Sequence, residues 1–172
     1  MSICRGYRMY IVELGLLYRE KPLLQVSFYR KDEELNDATI QKIILGIYRI
    51  VPEIFKDQVL KRLNVAKYTI MFQGCDITDS IAARETRGPV DPDNLVLAYA
   101  IVDLESEKLD RTSIKTIQAK LNQMSQDFKN SFQDTILDID NVDLQAFDAH
   151  VKDIFKDMLL KSKDRFDRLW KR

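Results

Sequence analysis

Residues Leu95 to Asp103 read LVLAYAIVD, a run without glycine or proline and with a charge only at its last position. A sheet with one wet face alternates apolar and polar residues, so a run this continuous fits a strand covered on both faces. It is expected to be a central strand. Downstream, Ile114, Ile117, Leu121, Met124, Phe128, Phe132 and Ile136 recur every three or four residues, and Phe147, Val151, Ile154, Phe155, Met158, Leu159, Phe166 and Leu169 do the same. Each series paints one apolar stripe along a helix. An acidic connection carrying Asp134, Asp138, Asp140 and Asp143 joins the two helices. Their stripes need a partner to be buried against, and the preceding sheet supplies one.

The 172 residues are enough for one domain with a sizeable core, and length does not require two. With 45% hydrophobic and 31% charged residues, 5 Gly and 4 Pro, the composition is that of a folded, helix-rich chain. Its formal net charge of zero removes any global attraction to nucleic acid, which is not expected as a partner. Cys4 and Cys75 form neither a CxxC pair nor a framework and read as free thiols in a reducing compartment. The first residues lack a signal-peptide pattern, and no run of about 18 uncharged apolar residues occurs. A cytoplasmic location is expected, with peripheral contact at membranes as the variant that the C-terminus raises.

Met9 to Tyr18 and Leu23 to Tyr29 are rich in strand formers and are separated by Arg19-Glu20-Lys21-Pro22, a hairpin signal with a connection of about four residues. In the second strand Leu24, Val26 and Phe28 alternate with Gln25, Ser27 and Tyr29, one buried face against one semi-polar face. Asp37 stands as an N-cap before Ile40, Ile43, Ile44, Ile47 and Ile50 at helical spacing. Pro52 kinks or stops that helix near Val51, after which Ile54, Phe55, Val59, Leu60 and Leu63 suit a second short helix. Ala66 to Gln73 alternates again and reads as a strand bounded by Gly74. Cys75 to Asn94 is long and weakly patterned, with Asp76 to Ile81 a candidate edge strand; loops above about 12 to 15 residues are functional, mobile, or conceal a short element.

The order is therefore strand, strand, helix, three strands, helix, helix. This predicts an α+β fold: a single antiparallel sheet of about five strands in β-β-α-β-β-β-α-α order with helices packed on it. In that order, and in Ala98-Tyr99-Ala100-Ile101-Val102-Asp103 running into the Ile114 to Ile136 helix and then Phe147 to Met158, the chain resembles the longin fold. That fold sits in a wider group that includes roadblock-type domains, and the likeness extends to the small subunits of clathrin-adaptor complexes. The whole of 1–172 is read as one longin-like domain. What the resemblance implies is a non-catalytic protein–protein interaction module, a subunit of a small-GTPase regulatory or membrane-trafficking complex. Its implied partners are a small GTPase or another longin- or roadblock-type subunit, in a homodimer or heterodimer that covers a sheet edge. The first helix forms a partner-facing side in this fold group, which implicates Ile43, Ile47 and Tyr48. Some complexes of the group place a loop arginine beside the GTP phosphates, and Arg84 and Arg87 are the residues nominated for that role, although two solvated loop arginines beside Glu85 are the plainer reading.

Catalytic and cofactor signals are thin. His150 is the only histidine, and neither a second histidine nor a CxxC supports zinc. Asp138-Ile139-Asp140-Asn141-Val142-Asp143 superficially resembles a calcium loop but lacks the turn glycine and the terminal bidentate Glu. Neither GxxxxGK[ST] nor GxGxxG occurs. No catalytic residue, metal ligand or cofactor is therefore assigned. The C-terminal segment holds Lys161, Lys163, Arg165, Arg168, Lys171 and Arg172 against Asp164 and Asp167, interleaved with Phe166, Leu169 and Trp170. It reads as a basic amphipathic helix end, explained either by ordinary helix termination or by contact with a membrane or an acidic partner. A peripheral membrane adaptor docked through this end, or an enzyme of unrecognised type, are the alternatives to the interaction module.

Overall fold

The LVLAYAIVD run is the middle of the sheet. The computed structural model describes residues 10–19, 21–28, 38–40, 42–46, 49, 62–65, 67–77, 92–103 and 110–169. Five strands, β1 (Tyr10–Tyr18), β2 (Lys21–Ser27), β3 (Arg62–Val65), β4 (Tyr68–Asp76) and β5 (Leu95–Asp103), make one antiparallel sheet in the order β2-β1-β5-β4-β3. Helical residues 38–40, 42–46 and 49 form α1, and α2 (Arg111–Phe132) and α3 (Gln145–Leu169) follow the sheet. The fold is α+β, as the element order predicts.

Every residue of β5 is buried, and its two faces differ in size. Val96, Ala98, Ala100 and Val102 lie with the core under α2 and α3, whereas Leu95, Leu97, Tyr99 and Ile101 lie with the core that includes Ile40 and Ile44 of α1. The two alanines leave room for large helix side chains, and Leu121, Met124 and Phe128 of α2 and Phe155 of α3 are all fully buried on that side. Burying each such aliphatic or aromatic side chain contributes about 1.5–3 kcal/mol relative to leaving it exposed.

Several expectations change in detail. The first hairpin turns in two residues, because Tyr18 pairs with Lys21; Arg19 takes the left-handed conformation (φ 49°) that such tight turns require. Lys21 and Pro22 belong to the strand, where proline is tolerated because β2 is an edge. Leu63 lies in β3, opposite Ile70, and not in a second helix; residues 54–60 lie outside the described residues. Gly74 does not end its strand: β4 runs on to Asp76 because Gly74 and Cys75 still pair with Leu97 and Val96. Asp76 is thus the end of β4 and Ile77 a bend whose N–H bonds to Asn94 O at 2.9 Å, while residues 78–81 lie outside the described residues. The edge strand on this side is β3.

Asp110 closes the N-terminus of α2. Its Oδ1 accepts the Ser113 backbone N–H at 2.7 Å and its Oδ2 the Ser113 hydroxyl at 3.1 Å. Those bonds, the backbone one foremost, hold its carboxyl below the usual range. The folded state therefore favours the ionised form, and the contribution is complete above the ordinary carboxylate pKa of about 4 and lost as pH falls through the lower folded value. Asp110→Ala is expected to lower the melting temperature at neutral pH, with the gap to the parent chain closing below about pH 4. Thermal melts followed by circular dichroism across that range check it. At its other end α2 stops at Phe132, and Ile136 falls on a 3-10 segment (Ile136–Asn141) instead of the helix, still buried.

Candidate functional site: the second face of the sheet and its edges

The face opposite α2 and α3 carries a buried polar cluster that joins three strands. Glu13 stands in the middle of an otherwise apolar β1 and is fully buried. A register shift between Ile11 and Glu13 makes Val12 an extra residue and sets Glu13 opposite Ile101, on the same face as Tyr99. The Tyr99 hydroxyl donates to Glu13 Oε1 at 2.8 Å, Gln25 Nε2 donates to the same oxygen at 3.1 Å, and Ser27 Oγ donates to Oε2 at 3.3 Å. The alternation in β2 is thus explained: its polar face supplies donors to a buried carboxyl group.

Gly15 makes this arrangement fit. It pairs with Tyr99, and a Cβ at position 15 would lie 2.3 Å from Tyr99 Cζ, so the ring occupies the space that any side chain there would need. Burial first, then the Glu13 carboxylate, push the Tyr99 phenol above its usual range. Its proton is held as a hydrogen-bond donor, and a phenol so shifted is a poor general acid at neutral pH. The folded state keeps that proton where the unfolded chain would release it, so stability is complete below about pH 10 and falls as pH rises beyond it. Tyr99→Phe is expected to cost about 1.5–3 kcal/mol, the range for a hydrogen bond to a charged group, and to flatten that alkaline decline. Urea denaturation at pH 7 and near pH 10.5, about half a unit above the free phenol, measures both.

The sheet has edges at β2 and β3, and β3 covers β4 only from Tyr68 to Met71. Beyond Met71, Gln118 of α2 reaches across and donates to Phe72 O at 3.1 Å and Gln73 Oε1 at 3.0 Å, while Gln126 contacts Cys75 Sγ at 3.5 Å. Cys75 is buried and forms no disulfide; Cys4 lies outside the described residues.

Of the partner-facing residues expected on α1, Ile43 is half-buried and packs against the core containing Ile40 and Ile44, so part of its surface serves the interior. Ile47, Tyr48, Arg84 and Arg87 lie outside the described residues. Lys161, Lys163, Arg165 and Arg168 fall on the helical backbone of α3, whereas Trp170, Lys171 and Arg172 lie outside the described residues. His150 is exposed, with Nε2 2.8 Å from Asp127 Oδ2, and helps fasten α3 to α2 beside Lys120–Asp157 at 2.8 Å. The acidic connection divides its roles: Asp140 pairs with Lys21 at 3.3 Å, and Asp143 Oδ1 accepts the Gln145 N–H at 2.9 Å at the start of α3. Among the described residues no group of three or more His, Cys, Asp or Glu is placed to hold a metal ion, and no helix is long and apolar enough to cross a membrane.

Sequence reasoning passed over Glu13, Gly15 and Tyr99. The available signal was an acid and a glycine inside a strand of branched apolar residues, since a charge in such a place requires partners. Compared with protein-family models, curated proteins and solved structures, the chain matches none of them.

Proposed function

We propose that this chain is a longin-like protein–protein interaction module, acting as a subunit of a small-GTPase regulatory or membrane-trafficking assembly. The observation that carries the reading is the architecture: a five-stranded antiparallel sheet with one helix after the first hairpin and two after the last strand. The edges at β2 and β3 add to it, because an edge strand is where a partner's strand or an adjoining helix can be added. On this reading the Ile43 side of α1 and the neighbouring edge meet the partner, and Arg84 and Arg87 are the residues to test for an effect on GTP hydrolysis. The experiment is retention of cytosolic proteins on the purified chain with a non-hydrolysable GTP analogue or GDP, read by mass spectrometry. Capture of a small GTPase or of a second chain of this fold supports the proposal. Retention of neither, with a monomer by light scattering, overturns it.

A further inference from the structure

We propose that the part of the β4 edge that β3 leaves uncovered, with the face of α2 beside it, is a groove for an extended polypeptide segment. It is separate from the β2 and β3 edges and from α1. Strand register decides which way its backbone points. Ile77 N–H bonds to Asn94 O at 2.9 Å in line with the β4–β5 pairing, and in an antiparallel ladder such residues alternate, so Cys75 and Gln73 also turn their backbone groups toward β5. Phe72 and Gly74 therefore turn theirs the other way, to the side that β3 covers only as far as Met71. The carbonyls agree: Phe72 O accepts the Gln118 amide at 3.1 Å and Gly74 O the Gln73 amide at 3.2 Å. Side chains thus occupy the carbonyls, whereas among the described residues nothing accepts the N–H of Phe72 or of Gly74. Gly74 is partly exposed and carries no side chain to close the groove.

Two donors that point the same way from residues i and i+2 of a strand stand about 6.8 Å apart, twice the rise per residue. Alternate carbonyls of a second extended chain have that spacing, and an open strand edge is where they are taken up. The wall beside the edge narrows the occupant further. Gln118 meets Phe72 and Gln73, Gln126 meets Cys75 Sγ at 3.5 Å, and Asn122 lies between them on the same line of the helix. From Asn122 to Ser131 the exposed residues of α2 are Asn122, Gln123, Gln126, Asn130 and Ser131, none of them charged in a chain that is 31% charged. The two charged residues of that stretch are engaged elsewhere: Asp127 pairs with His150, and Lys129 is buried. Loss of charge over an exposed helix face is the compositional mark of an interface. A strongly acidic or basic occupant finds no opposite charge on this wall, whereas side-chain amides, which donate and accept, suit an uncharged polar strand.

The test is selection of random peptides displayed on phage against the full chain, followed by amide NMR with one selected peptide. Uncharged, strand-forming peptides are expected. Their addition should shift the Phe72 and Gly74 amides and protect them from exchange, while the Gln73 and Cys75 amides, already bonded to β5, change little. Gly74→Pro removes an outward N–H and no bond to β5, and should abolish binding. Gln118→Ala frees Phe72 O for an N–H of the peptide and should tighten binding about five-fold, the worth of one hydrogen bond. A purely structural role for Gln118 would not produce a gain. Should Gly74→Pro fail to fold by circular dichroism, Gln118→Ala and the amide map decide. Selection of no peptide, enrichment of strongly charged peptides, amide changes confined to β2, β3 or α1, or unchanged or weaker binding by Gln118→Ala overturns the proposal.

Discussion

Gly15→Ala is expected to cost about 2–4 kcal/mol, a large share of the 5–15 kcal/mol that holds a typical domain together. The added methyl would lie 2.3 Å from Tyr99 Cζ. The ring cannot yield cheaply, because moving it takes its hydroxyl away from the buried Glu13 oxygen it reaches at 2.8 Å. Two penalties therefore combine, overpacking and a weakened hydrogen bond to a buried carboxyl group. A double-mutant cycle separates this account from a simple effect of glycine on strand preference. With Tyr99→Val already in place, most of the cost of Gly15→Ala should disappear, since alanine is the better strand residue once the space is free. An undiminished cost in that background would show that the ring is not the obstacle.

Phe128→Ala should be still more damaging, at about 3–5 kcal/mol. Phe128 is fully buried in α2, with ring centroids 4.9 Å from Phe132 and 5.3 Å from Phe147, the latter edge-on. It belongs to the core that α2 and α3 share with the alanine-lined face of β5, so truncation leaves a cavity among the packed side chains of that core, Phe132 and Phe147 included. Phe128→Leu, which keeps most of the volume, should cost about 1.5 kcal/mol or less. Urea denaturation of both variants gives the comparison, with the m-value reporting whether α3 stays docked.

The parts of the fold that were legible in the sequence are those where one physical demand acts alone. β5 is buried on both faces and reads as an unbroken apolar run, and the stripes of α2 and, as far as Met158, of α3 each answer to a single core. β3 was illegible because it spans only Arg62–Val65, too short for a period to show, with Leu63 as its one inward residue among those described there. The two-residue hairpin was hidden for another reason: Arg19 occupies a left-handed position that Asn or Gly would have announced. The polar cluster was out of reach because its members come from β1, β2 and β5, and Glu13 and Tyr99 are far apart in sequence. Glu13 stands out within β1 as a charge that needs partners, but nothing in β1 says which residues of β2 and β5 supply them. Only the register of the sheet makes them neighbours.

That sheet order also governs when the protein can fold. The strand that joins the two halves, β5, is the last of the five to be synthesised, and its partners β1 and β4 begin at Tyr10 and Tyr68. Until Asp103 has left the ribosome, the β1–β2 and β3–β4 hairpins have no common neighbour, and neither core can close. Pairing β1 with β5 means closing a loop of most of the preceding chain before any of its contacts are gained, the long-range topology that slows folding. The nascent chain thus carries two unfinished half-sheets with apolar faces, and it is during that interval that a holding chaperone would be most needed.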